Sequence, residues 1–384
     1  MKIFRVGGAV RDALLGLPVQ DIDYVVVGST PEQMVALGYT PVGKDFPVFL
    51  HPISHAEYAL ARTERKSAPG YHGFVFHCSP DVTLEQDLQR RDLTINAMAL
   101  PDHADATDAT DANIIDPFNG QRDLTARIFR HVSDAFAEDP VRILRVARFA
   151  ARFHAFTIAP ETLQLMCHMV ASGEVDALVA ERVWQEVSRG LMEVAPSRML
   201  QMLDDCGALA RILPELTWSA SMAQQRSPML DCAAQHQASL AVRWAVLVAD
   251  CDASATRALC ARIKVPVDVR DIAILTCREH QAIRDVPSQS PEVIVSLLER
   301  CDAFRRAERF AEVLQAVRYC YQMPADFAQQ MILNQSLAAA LSIPARQIAL
   351  ETAQRFPDQP QQIAEQIFQA RVAAVGQLAH FKLG

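Results

Sequence analysis

The spacing of apolar residues along the chain changes at about residue 135. Before that point they form short runs rich in β-branched side chains and bounded by Gly or Pro, which predict strands. The predicted strands are the runs KIFRV, DIDYVVVG, FPVFLHP and EYALART. Between the first two, AVRDALLG predicts a short helix that ends at Gly16. The first third of the chain is therefore expected to be a mixed α/β domain.

After residue 135 the apolar positions recur at helical spacing, and strand signals become rare. DPVRILRVARFAARF is the clearest predicted helix, followed by PETLQLMCHMVASG, ERVWQEVSRGLMEV and PSRMLQMLDDCGALARIL. From about residue 215 the chain is expected to be wholly α-helical. The prediction is an α+β protein of three parts, which cover residues 1–135, 136–215 and 216–384.

Composition places the protein among soluble globular proteins, since 50% of its 384 residues are hydrophobic and 21% are charged. We find neither the roughly 20 consecutive apolar residues of a membrane span nor an N-terminal signal peptide. The nine cysteines occur singly, without the spacing of zinc sites, which predicts a cytoplasmic protein. The net charge of −8 argues weakly against broad nucleic-acid binding but is compatible with a local basic groove. The acidic repeat at residues 102–112 is expected to be a surface loop without a site.

The segment RVGGAVRDALLGLPVQDIDYVVVGS, residues 5–29, contains the first candidate site. Asp21 and Asp23 are two residues apart on a predicted strand, so their side chains would project from one face. Such a pair can hold Mg²⁺ ions that activate an attacking hydroxyl and stabilise the leaving oxygen of a phosphoryl transfer. Gly7 and Gly8 lack a Cβ, which would let backbone N–H groups approach phosphate oxygens. Considered alone, an ordinary turn and a chance Asp-x-Asp explain both features better.

The second candidate is EQDLQRRDLTINAMAL, residues 85–100. On a helix Arg91 and Ile95 would share a face, with Thr94 and Asn96 nearby. The arginines of this run could clamp a triphosphate while Asp92 orients them. Considered alone, a solvated helical surface with opposite charges paired along it is the favoured interpretation.

The third candidate is EDPVRILRVARFAAR, in which Asp139 suits a helix cap and Pro140 suits a first helical turn. Arginines recur every three or four residues and form one basic stripe, which consists of Arg142, Arg145, Arg148 and Arg152. The helix offers them no acidic i+4 partner, so contact with phosphates or base edges is favoured over a solvated face. In IIDPFNGQRDL, residues 114–124, bracing of a turn is the favoured role of Asp116, Asn119 and Asp123.

Together these segments resemble the class II tRNA nucleotidyltransferases, the CCA-adding enzymes of bacteria and eukaryotes. GGAVRD followed by DID is similar to their first motif, RRDLTIN to RRDxxxN, DPFNGQRDL to DPxxGxxDL, and EDPVR to EDxxR. The resemblance covers about residues 1–215. The sequence around FPVFLHP, YALARTERKS and GYHGF is similar to that of the bacterial CCA-adding branch. It implies a head with the polymerase-beta-type nucleotidyltransferase fold, followed by an all-α neck, body and tail.

The resemblance also implies an activity and a set of site residues. The activity is addition of C, C and A, one at a time, to a tRNA 3′ end from CTP and ATP, with release of pyrophosphate and without a nucleic-acid template. Asp21 and Asp23 would hold Mg²⁺, with Glu57 or Glu64 as an undecided third carboxylate. Gly8, Arg11 and Arg91 would contact the nucleotide, while Asp139 and Arg142, with Arg145 nearby, would pair with the base.

Elementary chemistry agrees with this assignment. Cytosine and adenine both present an amino donor beside a ring-nitrogen acceptor, so one Asp acceptor and one Arg donor can serve both bases. Phosphoryl transfer itself requires positioning, metal ions and charge neutralisation, which carboxylates and arginines supply. From the acidic net charge we expect salt-sensitive tRNA binding through a limited number of phosphate contacts.

Three alternatives stay open at this point. A bacterial poly(A) polymerase shares the head motifs, but the segment VGKDFPVFLHP lacks the basic, aromatic character of that group. A partial enzyme that adds only CC or only A is compatible with the sequence, because the loop at residues 64–73 affects nucleotide switching in this family. A noncatalytic tRNA-binding relative is disfavoured, since both aspartates and all the arginines are present.

Some longer bacterial members of the family carry a C-terminal HD domain, a metal-dependent phosphohydrolase that requires a His-Asp pair. Here RWAVLVADCDAS has Ala249 before Asp250, and His236 and His280 are the histidines nearest to it. These two are expected to be surface or core residues. The sequence therefore predicts no phosphohydrolase activity.

Overall fold

The computed structural model describes residues 1–42, 48–66, 74–102 and 113–382. Two sequence predictions lie outside these ranges. They are the acidic surface loop, except for its first residue, and residues 67–73 of the predicted nucleotide-switching loop.

The strands lie in the N-terminal part of the chain and confirm its predicted mixed character. They are β1 (Lys2–Val6), β2 (Asp23–Val27), β3 (Thr40–Val42), β4 (Val48–Leu50), β5 (Glu57–Leu60), β6 (Thr63–Lys66), β7 (Phe74–His77), β8 (Ala99–Pro101), β9 (Ile128–Phe129) and β10 (Thr157–Ile158). Within the described ranges a six-stranded sheet has the order β3-β4-β5-β2-β1-β8, and β6-β7 and β9-β10 form separate pairs. In the centre β1 is antiparallel to β2, from Lys2↔Val27 to Val6↔Asp23, and β2 is parallel to β5.

Helices make up the remainder and confirm the predicted α-helical character of the C-terminal part. They are α1 (Gly8–Leu14), α2 (Pro31–Ala36), α3 (Leu84–Gln89), α4 (Gly120–Ala126), α5 (Val141–Arg152), α6 (Pro160–Ala171), α7 (Ala180–Met192), α8 (Pro196–Asp205), α9 (Ala208–Ile212), α10 (Ala220–Gln235), α11 (Leu240–Val248), α12 (Ala253–Arg262), α13 (Val267–Arg284), α14 (Pro291–Arg300), α15 (Ala307–Cys320), α16 (Ala328–Leu341), α17 (Ala345–Arg355), α18 (Gln361–Gly376) and α19 (Ala379–Lys382). Across the described ranges, none of them is long and apolar enough to cross a membrane.

The chain forms two compact units. One comprises Met1–Glu186 and Arg198–Ile212, and the other comprises Val187–Ser197 and Leu213–Gly384. The first contains the sheet and every residue predicted to act in catalysis or nucleotide binding. The second contains helices joined by turns, and none of its described residues lies in a strand.

The sheet of the first unit is covered on both faces, because successive strand residues project to opposite sides. Val25 packs in a core with Val6, Leu88 and Ala97, whereas the next residue, Val26, packs in a second core on α2 and Phe49. By the same alternation Asp23 projects from the Val25 face. The first candidate site is thus on the side of the sheet where the segment after α3 packs.

The helix predicted across the second candidate segment is wrong. The helix that would place Arg91 and Ile95 on a shared face ends at Gln89, and a 3₁₀ turn at Thr94–Asn96 follows. Asp92 explains the break, because its Oδ1 accepts hydrogen bonds from the Leu93 backbone N–H at 2.8 Å and from Asn96 Nδ2 at 3.0 Å. A short carboxylate that binds nearby donors competes with the helical hydrogen-bond pattern.

Candidate active site

The two candidate metal ligands lie at the start of β2. Asp23 is the first residue of the strand. Asp21 was predicted to belong to the same strand, but it lies two positions before the strand begins. Both residues are exposed. Over the described ranges no three His, Cys, Asp or Glu side chains converge as a metal site. Two carboxylates nevertheless fit Mg²⁺, which is commonly held by one or two protein carboxylates together with substrate phosphates and water.

The structure distinguishes the two candidates for a third carboxylate by their strands. Glu57 begins β5, and the pair Tyr24↔Tyr58 sets β5 parallel to β2, so Glu57 occupies the row beside Asp23. Glu64 belongs to β6, in a separate two-stranded sheet. Strand register therefore favours Glu57, but its participation in metal binding stays a prediction.

The glycine pair lies where β1 passes into α1. Gly7 has φ +67° and ψ −125°, a conformation that side chains rarely adopt, and a Cβ there would stand 2.9 Å from Nη1 of Arg91. A Cβ on Gly8 would stand 3.5 Å from Nη2 of Arg11. The missing side chains thus bring two predicted nucleotide-binding arginines close to the backbone of the turn.

Arg91 is only partly neutralised at this position. Its Nη2 donates to Asp87 Oδ2 at 3.3 Å, while its Nε is buried and has no hydrogen-bond partner among the described residues. Buried polar groups are rarely left unpaired in native proteins, so an orphaned donor marks a place where an additional acceptor is expected. Phosphate and carboxylate oxygens are the acceptors with which arginine forms its strong, charge-assisted hydrogen bonds.

Asp87 binds the side chains of both Arg90 and Arg91. It is fully buried, and its Oδ1 accepts from Arg90 Nη2 at 2.8 Å and from Arg90 Nε at 3.1 Å. Burial alone would raise the pKa of Asp87, but the charges of Arg90 and Arg91 and the hydrogen bonds from Arg90 lower it overall. The carboxylate therefore stays ionised and holds the guanidinium groups of both arginines in place.

Arg11 is more completely enclosed than the sequence indicates. It is 3% exposed, its Nε and Nη1 donate to Asp12 at 2.8 Å and to Asn96 at 2.5 Å, and its guanidinium lies 5.2 Å and 5.0 Å from the ring centroids of Phe149 and Phe153. Burial lowers the pKa of Arg11, an effect that the adjacent Asp12 opposes. The residue thus connects α1 to the turn after α3 and to α5.

Asp92 and Arg145 form a second ion pair, in which Asp92 is buried and the Arg145 side chain is 37% exposed. Asp92 Oδ2 accepts from Arg145 Nε at 2.7 Å, and Asp92 is 6% exposed. Burial would raise the pKa of Asp92, but Arg145 and the hydrogen bond from Asn96 hold it far below its ordinary value. The same carboxylate raises the pKa of Arg145. Asp92 therefore orients an arginine as predicted, although that arginine belongs to α5.

The two residues predicted to pair with the base stand at the start of α5. Arg142 is 7% exposed, and it donates from Nη1 to the carbonyl of Ala135 and from Nη2 to that of Arg90, both at 2.6 Å. Asp139 accepts the fork of Arg182, with Nη1–Oδ1 at 3.1 Å and Nη2–Oδ2 at 2.7 Å. These hydrogen bonds fix the orientations of both side chains, which are three residues apart in the chain.

The remaining arginines of the α5 stripe are paired with carboxylates from other elements. Arg148 Nε donates to Glu186 at 2.6 Å, and Arg152 Nη2 donates to Asp12 at 2.9 Å. Sequence analysis found no partner within α5 and missed Asp12, Asp87, Arg182 and Glu186 as parts of the site. The Arg-x-x-x-Glu spacing of Arg182 and Glu186 on a predicted helix is the one local signal that could have identified a paired face.

In the DPFNGQRDL segment Asp116 supports a turn, as predicted for this segment. Asp116 accepts from the backbone N–H groups of Gly120 at 2.7 Å and Gln121 at 2.9 Å. Asp123 accepts from Thr94 Oγ1 at 2.8 Å. Asp123 thus connects α4 to the 3₁₀ turn at Thr94–Asn96.

In the second unit, the residues nearest to an HD arrangement are engaged with other partners. Asp250 is ion-paired with the buried Arg226. His280 Nδ1 is 2.7 Å from Tyr321 Oη, and His236 Nδ1 is 2.9 Å from the carbonyl of Cys232. A guanidinium bound to the only acidic member of this set opposes binding of a cation there.

Comparison with known proteins adds independent findings. The family model of the poly A polymerase head domain matches residues 3–130, and that of the probable RNA and SrmB-binding site of polymerase A matches residues 155–219. The chain is 54% identical over 411 residues to the Multifunctional CCA protein of Janthinobacterium sp. (strain Marseille), with 98% of this chain and 97% of the relative covered. It is 53% identical to that of Herminiimonas arsenicoxydans, with the same coverage.

Solved structures share the fold. The Thermotoga maritima CCA-adding enzyme complexed with tRNA matches with a TM-score of 0.60 and 21% identity, over 88% of this chain and 87% of that one. A CCA-adding enzyme with ATP matches with a TM-score of 0.67 and 20% identity, over 99% and 87%.

Proposed function

Because this chain belongs to the multifunctional CCA protein family of tRNA nucleotidyltransferases, we propose that the site between β2, α1 and α5 is its transfer centre. The enzyme adds C, C and A one at a time to the 3′ end of tRNA from CTP and ATP and releases pyrophosphate, without a nucleic-acid template. The observation that carries the assignment is the position of Arg91, whose Nη1 would stand 2.9 Å from a Cβ on Gly7, so that its guanidinium adjoins the backbone of the turn. A nucleotide triphosphate would meet a cation and backbone N–H groups together at this turn.

Each nucleotide contact has a structural basis. Arg91 and the backbone at Gly8 would bind phosphate oxygens, with Arg11 behind Gly8 as a buried positive charge. The exposed Asp21 and Asp23 would hold Mg²⁺, which when bound neutralises the triphosphate and activates the tRNA 3′ hydroxyl. Asp87, fully ionised beneath the arginines, keeps Arg91 in place during this chemistry.

Base selection is assigned to the start of α5. Asp139 would accept a hydrogen bond from the amino group of cytosine or adenine, and Arg142 would donate to the adjacent ring nitrogen. Arg145, fixed by Asp92, lies one helical turn further along. In this proposal residues 1–135 are the catalytic head, 136–215 the neck that carries this helix, and 216–384 the tRNA-binding body and tail.

The test measures incorporation of labelled CTP and ATP into a tRNA that ends at its discriminator base. The assay buffer contains Mg²⁺. The wild type should add CCA, and Asp21→Ala should abolish transfer of both nucleotides while leaving the fold intact, since the side chain is exposed. Arg142→Ala should disturb nucleotide choice more than it disturbs metal-dependent chemistry. The affinity for tRNA should fall steeply with salt.

The same assay separates the alternatives. Homopolymeric A tails would identify a poly(A) polymerase, and a product that stops at CC, or requires CC, would identify a partial enzyme. Normal tRNA binding without CMP or AMP transfer would identify a noncatalytic relative. Any of these outcomes would overturn full CCA addition.

A further inference from the structure

Two tyrosines stack on the face of the six-stranded sheet that is opposite to Asp23. Tyr24 and Tyr58 are register partners on the parallel strands β2 and β5, and their ring centroids are 4.3 Å apart with an interplanar angle of 4°. We propose that this stack is a positioning element for metal binding, which fixes Glu57 beside Asp23 so that both carboxylates can contact one divalent cation. The inference deepens the proposed function and rests on it, because it assumes that Asp23 holds Mg²⁺.

The tyrosines and the carboxylates are neighbours in sequence but project to opposite sides. Successive strand residues alternate between the two faces of a sheet. Tyr24 and Tyr58 pack in the core that contains Val26. Asp23 and Glu57 each lie one residue earlier, and both are exposed. The rings therefore do not meet the cation, and they act only through the relative position of β2 and β5.

The stack lies at the end of the β2–β5 ladder nearest to the carboxylates. The ladder begins with the pair Tyr24↔Tyr58, so Asp23 and Glu57 stand one step before its first pair. Neighbouring strands are about 4.8 Å apart, which lets one cation contact a carboxylate from each. Like charges in neighbouring rows repel one another, and a slip of one residue would turn Glu57 to the other face. The first pair of the ladder is the one that opposes both movements.

Tyr58 is the better anchored of the two stacked rings. It is 7% exposed, and the rings of Tyr39 and His51 pack on it with centroid distances of 5.1 Å and 5.6 Å. His51 also orders the turn that leads into β5, because its Nδ1 accepts a hydrogen bond from the Ser54 backbone N–H at 3.2 Å. Glu57 is the first strand residue after that turn. The ring cluster therefore fixes the start of β5 from both sides of Glu57.

The experiment measures cation binding by the full-length protein, with Mn²⁺ as the probe. Titrations followed by electron paramagnetic resonance give the dissociation constant of Mn²⁺ without requiring nucleotide transfer. The variants are Tyr58→Leu, Tyr58→Phe, Glu57→Gln and the Tyr58→Leu/Glu57→Gln double variant, and Asp23→Ala defines loss of the site. Phe49→Leu is the matched control, since Phe49 is 2% exposed in the same core but lies on β4, the strand on the far side of β5 from Asp23.

We expect Tyr58→Leu to raise the dissociation constant of Mn²⁺ about 10- to 100-fold, as removal of groups that orient metal ligands generally does. The Mg²⁺ concentration that gives half-maximal CMP transfer should rise in parallel. Tyr58→Phe and Phe49→Leu should bind Mn²⁺ as wild type does, because both retain two stacked rings. In the double variant, Tyr58→Leu should add no further loss to that of Glu57→Gln, because the stack acts through that carboxylate.

Wild-type affinity in folded Tyr58→Leu would overturn the inference, and so would an equal loss in Tyr58→Phe or Phe49→Leu, or losses that add in the double variant. Thermal unfolding identifies the variants that fold. If Tyr58→Leu does not fold, Tyr24→Leu removes the same stack from its partly buried side and gives the same readout. A wild type that binds Mn²⁺ no better than Asp23→Ala would refute the metal site of the proposed function instead, so the two failures are distinguishable.

Discussion

Replacement of Gly7 by alanine should lower stability and weaken nucleotide binding for two separate reasons. The first is strain in the backbone at position 7, and the second is displacement of the Arg91 guanidinium. The backbone at φ +67° and ψ −125° is poorly accessible to alanine, and we expect a loss of about 1–3 kcal/mol in the free energy of unfolding. The new methyl group would stand 2.9 Å from Nη1 of Arg91, the far end of a flexible side chain, which can move at little cost in stability. That movement displaces the guanidinium from its place beside the turn.

The functional loss follows from this displacement. A hydrogen bond to a charged group contributes about 1.5–3 kcal/mol, so loss of one phosphate contact should raise KM for both CTP and ATP roughly 10- to 150-fold. KM is measured by nucleotide incorporation under conditions in which the variant stays folded, as checked by thermal unfolding. CTP and ATP should be affected equally, because Arg91 contacts no base in this scheme.

Gly16→Ala is the matched control. Gly16 also has φ +67°, but nothing lies within 4 Å of the position that its Cβ would occupy. It should lose about 1–2 kcal/mol of stability and keep a wild-type KM. A wild-type KM in folded Gly7→Ala would refute the reasoning about Arg91, and wild-type stability would refute the reasoning about the backbone.

Three further predictions concern packing, pH and the second unit. In Gly120→Ala the new methyl group would clash with the backbone carbonyl of Thr94. Calorimetry should show that the free energy of unfolding falls by about 1–3 kcal/mol. An unchanged melting temperature would contradict this prediction. Burial lowers the pKa of His280 below the 6.5 of an unfolded histidine, so the unfolded chain binds more protons at acid pH. Its contribution to stability should therefore be complete above pH 6.5 and be lost as the pH falls below it. Between pH 7.5 and 5.5 the melting temperature of His280→Gln should fall less than that of wild type, and an equal fall would contradict this assignment. With Asp250 bound to Arg226, we expect no metal-dependent hydrolysis of 2′,3′-cyclic phosphates, and activity that survives Asp21→Ala would show otherwise.

Local patterns predicted most of the elements because their boundaries are encoded nearby. KIFRV forms β1 as predicted, and the predicted α5 helix spans Val141–Arg152. The exception is the run after α3, where Arg91 and Ile95 were predicted to share a face of one helix. There Asp92 binds the neighbouring N–H of Leu93 and the side chain of Asn96, a choice that helical periodicity does not reveal.

The ion-pair partners of the arginines were much less predictable, because these pairs join residues that are distant in sequence. Arg145 and Asp92 are 53 positions apart, and Arg152 and Asp12 are 140 apart. No spacing rule connects such pairs, and a helix seen alone shows only an unpaired basic stripe. The resemblance named the residues that touch the nucleotide in related enzymes, but it could not show which carboxylates hold those residues in place.

These pairings change the interpretation of the α5 stripe. Three of its arginines are matched by carboxylates, Asp92, Glu186 and Asp12, and all three of these acidic residues are buried. Removing one partner of a buried pair leaves an uncompensated charge, so such pairs fix geometry more strongly than they add net stability. Electrostatic catalysis and base selection both depend on groups that do not reorganise during the reaction. The stripe therefore serves chiefly to hold α1, the turn after α3 and α7 around the start of α5, where we propose that the base is selected.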